Sequence, residues 1–142
     1  MTESRVVSID PGGAHVGWCE ARVDSVGTVV VDHIVEMSPQ ESIHAAERTF
    51  PTADVVVIER FALYPDKAKM LVGSEMETSQ LIGVLKYLAR LNECELVIQP
   101  ASIKVPTESL MRHRGVRHAA VTRRVGGHAK DAETHLFHYV MR

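Results

Sequence analysis

Four consecutive apolar residues, Val55-Val56-Val57-Ile58, run without a break into an acid, Glu59. A β-branched run with no polar alternation fits a strand covered on both faces, the environment of a central parallel strand. Such a strand needs helices above and below it, so this segment asks for an α/β layer architecture. The rest of the chain supplies the parts. Arg5 to Ile9 is a short β-branched run that stops at Asp10-Pro11-Gly12-Gly13, where proline and paired glycines force a turn. Val16 to Val23 and Thr28 to Glu36 follow as strands joined by Asp24-Ser25-Val26-Gly27, and three strands in quick succession predict an antiparallel meander. Leu96-Val97-Ile98 is a last short strand, closed by Pro100.

Between these strands the pattern turns helical. Pro39 to Phe50 has no strong breaker before Pro51. Ser74 and Glu77 form an S-x-x-E capping box ahead of Leu81, Val84, Leu85, Leu88 and Leu91, which recur at helical spacing. Beyond Pro106 the chain reads as helix in pieces, interrupted at Gly115 and at Gly126-Gly127, with a final helix from Lys130 to Met141. A mixed sheet with helices on its faces follows, and the length of 142 residues favours one domain spanning residues 1–142. With 45% hydrophobic and 24% charged residues the composition is that of an ordinary globular chain, and no stretch reaches the roughly 18 apolar residues of a membrane span. Cys19 and Cys94 form no CxxC pair, and the N-terminus runs straight into a strand without a signal-peptide apolar region. Reduced thiols and a cytoplasmic location are the expectation.

Three acids stand where α/β proteins keep their sites. Asp10 closes the first apolar strand and Glu59 the central one, and ligands in open α/β sheets bind outside the carboxyl ends of parallel strands. Asp131 follows the second glycine pair, with His128 three residues before it, a spacing that puts both on one face of a helix. Each has a bland reading: Asp10 as a turn former, Asp131 as an acid favoured by a helix N-terminus. Taken together, an oxygen-rich cluster suits Mg²⁺, with Mn²⁺ as a substitute. Two such ions about 3.5–4 Å apart stabilise the attacking and leaving oxygens of a displacement at phosphorus. Phosphodiester hydrolysis is the matching reaction.

Val7-Ser8-Ile9-Asp10-Pro11-Gly12, with Gly17-Trp18 shortly after, resembles the first-strand motif of the RuvC-type Holliday junction resolvases, members of the RNase H-like nuclease superfamily. Val57-Ile58-Glu59 is similar to the second acidic motif of that family, and His128-Ala129-Lys130-Asp131-Ala132 to its closing motif. The resemblance covers almost the whole chain and is nearest to the compact bacteriophage forms. It implies an α/β, RNase H-like mixed five-stranded sheet with helices on both faces. It also implies a Mg²⁺-dependent endodeoxyribonuclease that resolves four-way junctions as a homodimer, in the host cytoplasm if phage-encoded. Asp10, Glu59 and Asp131 carry over as metal-binding carboxylates and His128 as the fourth catalytic position. Many relatives have aspartate where His128 stands, and the imidazole has two open roles there, metal ligand or group that orients or deprotonates water. The segment between Lys104 and Gly126 is shorter than in bacterial resolvases. Phe61 and Tyr64 are the nearby aromatics for contact with the junction.

Charge is divided along the chain. Residues 1–95 hold 8 Lys and Arg against 15 Asp and Glu, whereas residues 96–142 hold 8 against 3, so the net charge of -2 conceals a basic last third. Lys104, Arg112, Arg114, Arg117, Arg123, Arg124 and Lys130 there, with Arg60, Lys67 and Lys69 after Glu59, form the expected phosphate-contacting surface. His128, Asp131, His135 and His138 share a helical stripe; packing near the chain's end is preferred for the last two over a structural zinc. Branched DNA is the expected partner and no membrane is involved. Three competitors are a broader flap and fork nuclease, a non-catalytic junction-binding protein and an actin-like nucleotide-binding protein. The last needs a second phosphate loop for which 142 residues leave little room.

Overall fold

The computed structural model describes residues 2–61 and 68–142, apart from the side chains of residues 68–76. Strands β1 (Ser4–Pro11), β2 (Val16–Val23) and β3 (Val29–Met37) form the antiparallel meander. Strands β4 (Val55–Glu59) and β5 (Glu95–Gln99) continue the sheet in parallel on the other side of β1, giving the order β3-β2-β1-β4-β5. The helices are α1 (Pro39–Thr49), α2 (Ala68–Leu91), α3 (Lys104–His113), the single turn α4 (Ala119–Thr122) and α5 (Gly127–Met141). This is the five-stranded mixed sheet that the sequence predicts; β4 is an interior strand parallel to both neighbours, as its apolar run asks, although the middle of the sheet is β1.

Local chemistry sets the element ends. Ser38 and Glu41 close a reciprocal capping box on α1, with Pro39 in the first turn where its missing amide hydrogen costs nothing. In the β2–β3 connection the Asp24 carboxylate accepts from the amides of Val26 and Thr28. Two helix starts differ from the sequence reading. Helix α2 begins at Ala68, so Ser74 and Glu77 lie within it and do not cap it. No proline stands between Ala68 and Ser74, and the one glycine there, Gly73, costs only about 1 kcal/mol, too little to stop a helix that is packed further along. Helix α5 begins at Gly127, before the predicted Lys130. The glycine pair does not break it, because the Glu36 carboxylate reaches over from β3 and accepts from the His128 amide at 2.7 Å, supplying the cap that Gly126 lacks.

Strand alternation sorts the core into two halves. Ile9, Val56 and Ile58 point to α1 and α2, where they pack with Trp18, Phe50, Leu81 and Leu85; the Trp18 and Phe50 rings stack at 6.1 Å. Val6, Val55 and Val57 point the other way and pack under Ala129, Ala132 and Leu136 of α5. The same parity sends Ser8 and Asp10 of β1, Glu59 of β4 and Gln99 of β5 to the α5 side. Helix α2 is not wholly core: Leu81, Ile82, Leu85 and Ala89 are buried, while Val84, Tyr87 and Leu91 are 39%, 63% and 63% exposed. Cys19 and Cys94 are both free thiols. No helix among the described residues is long and apolar enough to cross a membrane.

Candidate active site

Register brings the first two acids together. Ile9 pairs with Ile58 across β1 and β4, so the next residues of each strand, Asp10 and Glu59, stand side by side at the carboxyl end of the sheet. Glu59 in turn pairs with Gln99 on β5. The first turns of α5 lie over this row and carry His128, Asp131 and His135. Asp10, Glu59, His128 and Asp131 line one pocket, with Lys104 of α3 among them and Arg60, Phe61 and Thr78 at its rim.

The approach of α5 depends on two glycines. A Cβ on Gly17, the residue paired with Asp10 across β1 and β2, would collide with the His128 carbonyl group and stand 2.7 Å from the Ala129 nitrogen. A Cβ on Gly12 would come within 2.8 Å of the His128 ring. Both positions hold open the space in which the helix start and its imidazole meet the strand ends.

The polar contacts form one network. His128 Nδ1 lies 3.1 Å from Asp10 Oδ2. Lys104 Nζ lies 3.1 Å from Glu59 Oε1 and 3.2 Å from Asp131 Oδ2, an ammonium between two carboxylates. His135 is fully buried, its Nδ1 2.7 Å from Gln99 Oε1 and its Nε2 3.5 Å from Glu59 Oε1. Burial pushes Asp10 up to about 9, helped by its hydrogen bond to Glu59 and the charges of Glu59 and Asp131. Burial alone would raise Glu59 too, but His135, the Asp10 carboxyl and the Lys104 charge outweigh it and hold Glu59 below the usual carboxylate range. The two neighbouring carboxyls are thus pushed in opposite directions, Asp10 up and Glu59 down. Glu59 and Asp131 likewise overcome burial and hold Lys104 above the ordinary lysine range.

Three carboxylates and an imidazole are donors suited to a hard divalent cation. Among the described residues no three His, Cys, Asp or Glu side chains are drawn round one point as a finished metal cage. The network is instead organised about the Lys104 ammonium, a positive charge already seated between Glu59 and Asp131. The donor chemistry fits a divalent ion that takes over that charge.

The predicted phosphate-contacting residues are divided by the fold. Arg60 and Phe61 line the pocket, Phe61 half-buried against the core. Lys104, expected on the contact surface, sits inside the acidic network. Arg112 and Arg114 lie at the other end of α3, with Arg112 about 12 Å from Lys104 along the axis at 1.5 Å per residue. Arg117, Arg123 and Arg124 are exposed around α4, and the Arg123 guanidinium donates to the Val31 carbonyl at 2.8 Å. Lys130 adjoins Asp131 on α5. Tyr64 and Lys67 lie outside the described residues, as does the Lys69 side chain. His138 meets Thr107 at 3.1 Å and ties α5 to α3. His135 is packed in the core as expected near the chain's end, with its ring between Gln99 and Glu59. Sequence reasoning missed Gln99, although it closes β5 just as Glu59 closes β4. It also missed Glu36 and Glu133, whose caps join segments far apart in the chain.

The strand order, the parallel pair that ends in Asp10 and Glu59 and the helix carrying Asp131 define an RNase H-like fold. Within that fold the chain has the form shared by the RuvC-type Holliday junction resolvases. It matches the RuvC of T. thermophilus in complex with a Holliday junction substrate with a TM-score of 0.65 and 16% identity, over 96% of this chain and 93% of that one. The fowlpox virus resolvase in complex with Holliday junction DNA matches with a TM-score of 0.63 and 12% identity, over 96% and 97%. The yeast mitochondrial Holliday junction resolvase matches with a TM-score of 0.51 and 14% identity, over 94% and 75%. No protein-family model and no curated protein matches the sequence.

Proposed function

We propose that this chain is a divalent-metal-dependent endonuclease that resolves Holliday junctions by hydrolysing phosphodiester bonds in branched DNA. The observation that carries the reading is the convergence of Asp10, Glu59 and Asp131, from two strands and a helix, on one pocket with His128 against Asp10. Asp10, Glu59, Asp131 and His128 are the residues that would hold Mg²⁺, or Mn²⁺ in its place. The metal would supply charge to stabilise the attacking and leaving oxygens at phosphorus.

The chain's own groups set the conditions for that chemistry. Lys104 offsets part of the negative charge of Glu59 and Asp131, and a bound divalent cation would add to that positive charge. Lys104 lines the pocket, where its ammonium would pair with a phosphate oxygen if a bound cation took its place between Glu59 and Asp131. His128 is 43% exposed at its side chain, so its ring reaches solvent while its Nδ1 stays on Asp10. It orients water or carries its proton from there. The basic residues around α4, together with Arg60 and Lys130, hold the DNA backbone by contacts that weaken with salt.

A four-way junction needs two cuts, and we propose a homodimer to make them. Val84, Tyr87 and Leu91 form an exposed apolar stripe on α2 that suits a second copy of the chain. Tyr87→Glu should lower the sedimentation coefficient of the protein without changing its melting temperature. Cleavage rates on a four-way junction, a flap and a linear duplex test the substrate. The junction should be cut fastest and the linear duplex not at all; equal rates on junction and flap would make this a general branched-DNA nuclease.

A further inference from the structure

His135 occupies a position for which a leucine would serve as well on packing grounds. It is fully buried, one helical turn beyond Asp131, in the half of the core that α5 shares with Leu136 and Val57. Its Nε2 has no hydrogen-bond partner among the described residues, and the nearest acidic atom is Glu59 Oε1 at 3.5 Å. A buried polar atom left without a partner is destabilising, so its retention calls for a reason. Its Nδ1 is engaged by Gln99, which is itself buried and stands beside Glu59 in the β4–β5 register. Gln99, His135 and Glu59 thus form a buried row that ends on a carboxylate of the pocket, fixed by a strand on one side and a helix on the other.

We propose that His135 is a positioning residue whose Nε2–H anchors Glu59 and thereby sets the affinity of the pocket for a divalent cation. The proposal rests on the nuclease reading and deepens it. A half-turn of the Gln99 amide exchanges its oxygen and nitrogen with no change of shape. In that arrangement the Gln99 amide donates to Nδ1, the neutral ring carries its hydrogen on Nε2, and that hydrogen faces Glu59. The anchor leaves the other Glu59 oxygen to the pocket and removes the rotamer freedom that ligation would otherwise have to overcome. Partners behind a metal ligand act in this manner, and their loss typically weakens metal binding by about 10–100-fold.

The test is Mn²⁺ binding to the metal-free protein by isothermal titration calorimetry, read beside the melting temperature. His135→Leu roughly keeps the volume and should weaken Mn²⁺ at least about 10-fold. It also leaves the buried Gln99 amide without its partner, so the metal-free protein should melt lower. His135→Leu combined with Gln99→Leu, which removes that orphaned amide, should regain the melting temperature but not the affinity. His135→Gln places an amide nitrogen near the Nε2 position and should recover most of the affinity. Gln99→Leu, which frees the ring, should fall between them, and it carries the test alone if His135→Leu does not fold. Cleavage by His135→Leu should return at high Mg²⁺, whereas Glu59→Gln should stay inactive at any concentration. Unchanged Mn²⁺ affinity in folded His135→Leu and Gln99→Leu, with wild-type protein binding and cleaving, overturns the positioning role alone. Wild-type protein that binds no Mn²⁺ overturns both this role and the nuclease reading.

Discussion

The sheet face under α1 and α2 packs Ile9, Trp18, Phe50, Ile58 and Leu85, and among the described residues Ser42 is the only buried polar side chain on that side. The face under α5 buries Ser8, Asp10, Gln99, Glu133, Thr134 and His135 between apolar neighbours. Adjacent residues of the same strands serve both faces: Ile9 and Ile58 stabilise, and Asp10 and Glu59, one position on, project into the pocket. The dry face holds the strands in register against the cost of gathering carboxylates on the other. Stability and chemistry are thus separated by a single step of the β alternation.

The comparison makes unequal demands on substitutions. Glu59→Gln and Asp131→Asn should each lower junction cleavage by about 10³-fold or more while the melting temperature moves little, measured by gel-based cleavage and calorimetry. Trp18→Ala on the dry face should do the reverse, costing about 3–5 kcal/mol in denaturant unfolding while the protein that remains folded still cleaves. A Trp18 variant that loses cleavage before it loses stability would break the division between the faces.

Smaller effects sharpen it. Gly17→Ala must push the start of α5 away from β2, since the atoms it meets are backbone. A cost of about 1–3 kcal/mol is expected, together with loss of cleavage, because His128 and Asp131 move with the helix. The least effect concerns His118, which meets Thr134 Oγ1 at 2.9 Å and which burial holds below the ordinary histidine range. The unfolded chain then takes up the proton first, so His118 lowers stability as pH falls through about 6.5. Wild-type protein should lose more stability than His118→Gln between pH 7.5 and 5.5, by urea unfolding at each pH.

Much of this was legible in the residues. The uninterrupted Val55–Ile58 run required a strand covered on both faces, but that this strand lies directly beside β1, and so sets Asp10 beside Glu59, is visible only in the fold. The spacing of His128 and Asp131 allowed them to share a helical face, and they do because α5 starts at Gly127 and not at the expected Lys130. What the sequence could not show lay in contacts between distant segments. The cap on α5 comes from Glu36, about ninety residues away, so Gly126-Gly127 read as a break. Lys104 resembled any other cation of a basic segment until β4 and α5 placed Glu59 and Asp131 on either side of it. Nothing in the sequence singled out Glu133, which is buried and accepts from the amides of Ala119 and Ala120 at 2.7 and 2.9 Å, fixing the turn that carries Arg123 and Arg124.

The central claim, that the acids of the α5 face hold a metal for phosphodiester cleavage, is tested most directly by one experiment on a labelled four-way junction. Wild-type protein and Asp10→Asn are each incubated with it, in Mg²⁺ and in chelator, with binding followed in parallel. Wild-type protein should nick the junction in Mg²⁺ alone, and Asp10→Asn should bind it as tightly and leave it intact. Cleavage that persists in chelator, or full activity in Asp10→Asn, would contradict the account.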